Sequence, residues 1–255
     1  MDGLKAAIKK TRDYANKYGQ KLNDDQLYLR LISPKVYKPI KRKNQKKSKG
    51  KNKEWQKKLY LAERLIRENF YKMEGIKMVG ITGTVAAEAA KKNEDIDLLI
   101  ITKKEELWWW RLYLRLYVWW KNIPHREFGK KERQNDFCFN LWLDTANLEI
   151  PKKKRNLKNA TDLIMMKVIL DRDSTYQKFL RKNDWVKKYL ATGYEERTKN
   201  NREVGKKFKS ENRSNFFKYF INRILFWGQY LYMWIKVQKK LKYIKRGQAF
   251  FHDGE

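Results

Sequence analysis

The chain is poor in the residues that most disulfide and cofactor chemistry needs. It has one cysteine, Cys138, and two histidines, His125 and His252. A single thiol closes no intramolecular disulfide and builds no cysteine metal cluster, and neither histidine has a partner at metal-ligand spacing. No glycine-rich stretch ends in the Gly-Lys-Ser/Thr of a phosphate loop, and none has the spacing of a dinucleotide fingerprint. No uncharged run reaches the roughly 18 residues of a membrane span. The nearest stretches carry Arg111 and Arg115, or Lys218 and Arg223. The N-terminal Met-Asp-Gly-Leu-Lys lacks an apolar signal core. A soluble, cytoplasmic protein without stable membrane insertion is therefore expected.

Acid is also scarce. Asp and Glu number 29 against 61 Lys and Arg, which gives a formal charge of +32 and an isoelectric point near 10.0. Such a surface attracts polyanions, chiefly nucleic acid, with anionic lipid as the other class. The 42% apolar and 15% aromatic content suffices for a core, and 255 residues permit one core domain with small appendages.

Four segments are expected. Residues 1–34 read as a helical, helix-turn-helix-like module: Leu4, Ala7, Ile8, Thr11, Ala15 and Tyr18 recur at helical spacing before Gly19. Asn23 then caps a second helix, with Gln26 at the capping-box position, and Ser33-Pro34 ends it. Residues 35–58 are a basic linker or wing, with 12 Lys or Arg against the single acid Glu54. Residues 59–150 alternate helix and strand, and residues 151–255 read as helical. Within the third segment, 76–82, 95–102 and 137–143 are strand candidates, and 85–92 and 104–120 helix candidates. In the fourth, helices are expected from 159 to about 170, over 175–190 and from 214 to about 243, the last as one helix or as two with a break near Gly228.

The chemistry concentrates in the third segment. Val79-Gly-Ile-Thr-Gly-Thr84 closes one apolar strand, and Asp95-Ile-Asp-Leu-Leu-Ile100 opens the next. Gly83 allows close backbone approach, and the Thr84 hydroxyl can donate to a phosphate oxygen. Asp95 and Asp97, two apart on a strand, point to one face and suit a divalent metal that bridges phosphates.

This arrangement resembles the nucleotidyltransferase superfamily that includes DNA polymerase beta, the kanamycin-type adenylyltransferases and the minimal nucleotidyltransferases of toxin–antitoxin pairs. The resemblance covers about residues 76–143. Further segments are similar to a bacterial group that carries a nucleotidyltransferase domain and has no assigned substrate. These are Phe137-Cys-Phe-Asn-Leu-Trp-Leu-Asp144, Pro151-Lys-Lys-Lys-Arg-Asn-Leu157, Thr175-Tyr-Gln-Lys-Phe-Leu180, Asn183-Asp-Trp-Val186 and Gln248-Ala-Phe-Phe-His252.

The resemblance implies an α/β (α+β) fold. A nucleotidyltransferase palm with a mixed sheet would be flanked by an N-terminal helical, winged-helix-like module and a C-terminal helical half. It implies transfer of a nucleoside monophosphate from NTP, ATP among them, to a hydroxyl, with Mg²⁺ or Mn²⁺ on Asp95 and Asp97. Gly83 and Thr84 would hold phosphate, and Lys152 in the basic loop would reach the triphosphate. The charge excess points to RNA, tRNA included, or another polyanion as acceptor.

Three departures stand out. Thr84 replaces the usual serine, and Glu88 brings a negative charge near the phosphate site. The third carboxylate position falls on Asn140, with Asp136 and Asp144 on the same side by alternation; Asn140, helped by Asp144, is assigned the third catalytic place. An amide can ligate a metal but cannot act as a base. The alternative class is a weak or inactive nucleotidyltransferase fold that acts as a nucleic-acid-binding or regulatory module. Trp108, Trp109, Trp110, Trp119 and Trp120 read as core, with base stacking or a bilayer interface as the other readings.

Overall fold

A computed structural model describes residues 2–38, 54–127, 133–199, 216–237 and 243–251. Most of the basic linker (39–53) and His252 lie outside the described residues.

The chain forms α1 (Asp2–Lys17), α2 (Asp24–Leu29), α3 (Glu54–Asn69), β1 (Ile76–Ile81), α4 (Gly83–Ala86), β2 (Ile96–Thr102), α5 (Leu107–Trp120) and β3 (Phe137–Asp144). The second half adds α6 (Leu157–Met165), β4 (Lys167–Asp171), α7 (Thr175–Lys182), α8 (Lys187–Lys199), α9 (Phe216–Val237), β5 (Ile244–Lys245) and β6 (Gln248–Phe250). The fold is mixed α/β. The described strands make one sheet in the order β4-β1-β2-β3-β6-β5, with β2 and β3 parallel and the other neighbours antiparallel.

Strand β2 is apolar on both sides, and the alternation of its side chains sorts the core into two layers. Leu98 and Ile100 pack with Ala62 and Ile66 of α3, Trp108 and Leu114 of α5 and Phe226 of α9. Leu99 and Ile101 pack with Leu163 and Ile164 of α6, Phe179 of α7 and Tyr194 of α8. Asp97 shares the parity of Leu99 and so belongs to the α6 side.

Local signals explain several boundaries. The capping box at Asn23 forms in both directions: its side chain accepts from the Gln26 amide, and the Gln26 side chain accepts from the Asn23 amide. The helices of residues 1–34 then pack on the C-terminal half. The Ser33 amide donates to Tyr189 O at 2.8 Å, and Ala191 donates back to Ser33 O at 3.0 Å. Gly193 permits this approach, because a Cβ there would lie 2.1 Å from Leu29 O.

Three expected elements are revised. The helix expected over 85–92 is only the single turn α4, because Glu88 adopts φ +59 and leaves the helical region. The helix expected from 159 to about 170 is capped by Asn156 and ends at Met165; Met166 turns extended and feeds the edge strand β4. The helix expected over 175–190 divides at Asn183 into α7 and α8, joined by a short turn over Asp184–Val186. Of the two readings of the last helix, the single one holds: α9 runs unbroken through Gly228.

Lys58, counted above in the basic linker, is a buried residue of α3 with 0% exposure. Its ammonium donates to Lys92 O (3.1 Å), Glu94 O (2.6 Å) and Asn135 Oδ1 (2.9 Å), so all three protons are used. It therefore fixes the loop that delivers Asp95 to β2.

Candidate functional site

Strand β1 ends at Ile81, and the chain turns at Gly83 with φ +64. A Cβ at Gly83 would lie 2.6 Å from Asp97 Oδ2. The left-handed backbone and the carboxylate overhead thus both require glycine there. The Thr82 amide donates to Asp97 O at 2.9 Å and ties the turn to the acidic strand.

Asp95 lies one residue before β2 and is buried. It accepts from Arg126 Nη1 at 3.0 Å. Asp95, Asp97 and Cys138 each present one ligand atom, and these atoms lie within 4.8 Å of one another. The cysteine arrives through strand register, since Asp97 pairs with Cys138 across the parallel β2–β3 ladder. Burial pushes the Cys138 thiol pKa up, and the negative charges of Asp97 and Asp95 add to the shift.

Among the described residues of β3, Cys138 is the one brought to the acidic pair. The side chain of Asn140 lies outside the described residues. The register shows why alternation misleads here. Asp97 pairs with Cys138 and Leu99 pairs with Leu141, so β3 carries one extra residue between them. Positions 136, 140 and 144 then no longer count evenly along one side.

Asp144 is not brought to the site. It pairs with Thr102, five residues along β2 from Asp97, or about 17 Å at roughly 3.3 Å per residue. There it caps the following loop, accepting from the Ala146 amide at 2.9 Å and the Asn147 side chain at 2.8 Å. Asp136 offers its backbone carbonyl to Ile96 N, and its side chain is not in the cluster.

A cavity of about 350 Å³ opens beside Asp97 on the α6 side of the sheet, a volume at the lower end of small-ligand sites. Gly83, Thr84 and Asp97 form its floor with Leu99 and Leu141. Tyr14, Tyr18 and Arg30 wall it from α1 and the end of α2, so the N-terminal helices contribute to the cleft. Lys154, Lys158, Asp162 and Phe250 close the other side. Three cations thus face the cleft. Arg30 is held by Gln20 Oε1 at 2.7 Å, and the Lys154 ammonium lies 4.1 Å from the Tyr243 ring centre. Burial pushes the Asp162 carboxyl up to about 6, with Lys158 and Arg30 opposing the shift.

The remaining expected residues fall as follows. The Thr84 hydroxyl donates to Glu94 Oε2 at 2.7 Å, and the Lys91 amide donates to the same oxygen at 3.0 Å, so Thr84 closes the 84–94 loop while lining the cleft. Lys152 faces a separate cavity of about 410 Å³ with Thr145, Asn147 and Lys245; the cleft lysines are Lys154 and Lys158. Glu88 is turned away from the cleft, where it accepts from Gln26 Nε2 at 3.0 Å and pairs with Lys167 at 2.9 Å. Its charge is therefore compensated. The sequence carries no local signal for Cys138, because its neighbours Phe137 and Phe139 read as a buried strand.

No protein-family model, curated protein or solved structure matches this chain.

Proposed function

We propose that the cleft is a metal-dependent nucleotidyl-transfer site on a nucleotidyltransferase-type palm. The observation that supports this most directly is the contact between Gly83 and Asp97 at the floor of a cleft with three cations. Two carboxylates within 4.8 Å, on a rigid strand and the residue before it, suit a divalent cation. Mg²⁺ or Mn²⁺ held there by Asp95 and Asp97 would supply charge neutralisation on phosphate and acidify an attacking hydroxyl. Arg30, Lys154 and Lys158 would bind triphosphate oxygens, and Tyr14 and Phe250, which line the cleft, would meet the base. In the reaction, the acceptor hydroxyl oxygen bonds to the α-phosphorus, and the bond from that phosphorus to the bridging oxygen breaks. Pyrophosphate leaves, and the hydroxyl proton passes to a carboxylate of the pair. The charge of +32 favours RNA, tRNA included, as the acceptor.

The test is incorporation of α-labelled NTP into RNA with Mg²⁺ or Mn²⁺. The Asp95→Asn plus Asp97→Asn chain should lose at least about a thousandfold. Equal label transfer by the double variant would overturn the proposal.

A second reading rests on the third position. Among the described residues no third carboxylate joins Asp95 and Asp97; a thiol with a raised pKa is there. A site with no strong base is suited to binding nucleotide and RNA without rapid turnover. Metal-dependent NTP binding that yields no product with RNA, DNA, protein or small alcohols would favour this reading.

A further inference from the structure

Helices α5 and α9 pack on each other through a polar and aromatic seam. Asn222 Oδ1 accepts from the backbone amides of Trp108 (2.8 Å) and Trp109 (3.1 Å), capping α5 from 113 or more residues away. Phe226 meets the Trp108 ring edge-on at 5.2 Å. Arg111 is buried between them, 4.5 Å from the Phe251 ring centre and bonded to Gln229. This seam fixes which sides of the two helices face out.

The outward sides are strongly apolar. On α9, Phe220, Ile224, Trp227, Leu231 and Trp234 recur at steps of four and three, so they form one stripe, and all are exposed. On α5, Leu116, Trp119 and Trp120 are exposed as well, the two tryptophans at 73% and 68%. A stripe of five large exposed apolar side chains on α9, with three more on its packing partner α5, marks a docking face rather than ordinary surface scatter.

Charge selects the occupant. Apart from the buried Arg111, the sequences of the two helices carry four cations, Arg115, Lys218, Arg223 and Lys236, and no acid. Cations flank the stripe in sequence too: Lys206, Lys207 and Lys209 precede α9, and Lys239, Lys240 and Lys242 follow it. At the rim, Lys121 lies over Trp120 at 4.3 Å and Arg223 over Tyr219 at 6.0 Å, so ammonium and guanidinium groups stand beside the rings. Glu127 meets Lys236 at 3.9 Å, and the face keeps a net positive charge that a second copy would bring against itself. The aliphatic members Ile224, Leu231 and Leu116 offer nothing to stack on a base, which disfavours single-stranded RNA. No described helix is long and apolar enough to cross a membrane.

From this we infer that the α5–α9 face docks flat on an anionic lipid bilayer, with its aromatic stripe at the headgroup boundary and the surrounding cations on lipid phosphates. The protein would thereby be held at a membrane surface without spanning it.

The test uses the full chain with phosphatidylglycerol–phosphatidylcholine vesicles at moderate salt. Wild type should co-sediment with them, and pure phosphatidylcholine vesicles should bind it far more weakly. Trp227→Ser plus Leu231→Ser should lower the vesicle partition about a hundredfold, since each removes apolar area that the bilayer would bury. These residues are exposed, so the melting temperature should hold. Arg223→Glu provides an independent variant and should weaken binding to anionic vesicles only. Wild-type tryptophan fluorescence should be quenched by brominated lipid. The inference is overturned by absence of sedimentation with anionic vesicles, or by binding unchanged in both variants. It is equally overturned if the stripe variants abolish a wild-type dimer or RNA crosslinking while vesicle binding persists.

Discussion

The carboxylate of Asp97 occupies the space that any side chain at residue 83 would need. Gly83 adopts φ +64, and a Cβ there would stand 2.6 Å from Asp97 Oδ2. Turn and acidic strand are therefore built as one unit, and Gly83→Ala disturbs both. The left-handed conformation alone costs an alanine about 1–2 kcal/mol. The displaced carboxylate should add loss of metal-dependent nucleotide binding. Urea denaturation and isothermal titration with NTP and Mg²⁺ check the two effects; unchanged nucleotide binding in a folded Gly83→Ala chain would separate residue 83 from the site.

Lys58 supports the same unit from beneath. Its ammonium bonds to Lys92 O, Glu94 O and Asn135 Oδ1, and residue 95 is the first acid of the pair. Lys58→Met keeps the apolar stem and leaves three part-buried acceptors without this donor. The expected cost is about 2–4 kcal/mol in urea unfolding. Faster hydrogen exchange of the 92–96 amides should accompany it. A loss below about half a kcal/mol would mean that water replaces the ammonium freely.

These two residues show how legibility varied along the chain. The Asn23 capping box, strands β1 and β2 and the Gly83–Asp97 turn were readable because each is a local pattern of a few residues. Lys58 was not, because twelve cations in one run look alike until one is seen inside. Strand β4 was hidden because Met165 and Met166 continue into Lys-Val-Ile-Leu, which fits a buried helix end as well as a strand. The partner of the acidic pair was missed for a different reason. The register of a parallel ladder depends on the long connection between its strands, and Cys138 meets Asp97 only through that register.

Cys138 gives the metal question a direct readout. Its thiol lies within 4.8 Å of the carboxylate ligand atoms and is harder to ionise than a free thiol. Mg²⁺ prefers oxygen, whereas Zn²⁺ and Cd²⁺ take sulfur well. Cys138→Ser should leave Mg²⁺-supported nucleotide binding within about threefold and weaken Cd²⁺ binding by about tenfold or more. Competition titration with a metal indicator measures both. Equal Cd²⁺ affinity in the two chains would remove the thiol from the ligand set.

Asp162 predicts a pH response. Burial holds its carboxyl at about 6 in the fold, against an ordinary 3.8, and Asp171 is raised to about 6 for the same reason. For each, the folded state binds more protons than the unfolded chain between those values. The contribution to stability is full below 3.8 and is lost as pH rises through about 6. Wild type should therefore lose more stability between pH 4 and pH 7 than Asp162→Asn, which stays neutral throughout. Urea midpoints measured at the two pH values check this; parallel curves for the two chains would show that Asp162 ionises normally.

The basic loop separates two lysines that look equivalent in sequence. Lys154 lines the cleft with Lys158, while Lys152, two residues earlier, faces the cavity beside Thr145 and Lys245. A charge acts on triphosphate only within a Debye length, and most strongly where water is partly excluded. Lys154→Ala and Lys158→Ala should each weaken NTP binding about three- to tenfold, and the pair more than either alone. Lys152→Ala should change it less than about twofold, because screened surface charges contribute little. Fluorescent-nucleotide titrations at two salt concentrations distinguish these cases. An effect of Lys152→Ala as large as that of Lys158→Ala would mean that the triphosphate lies outside the cleft, over the loop.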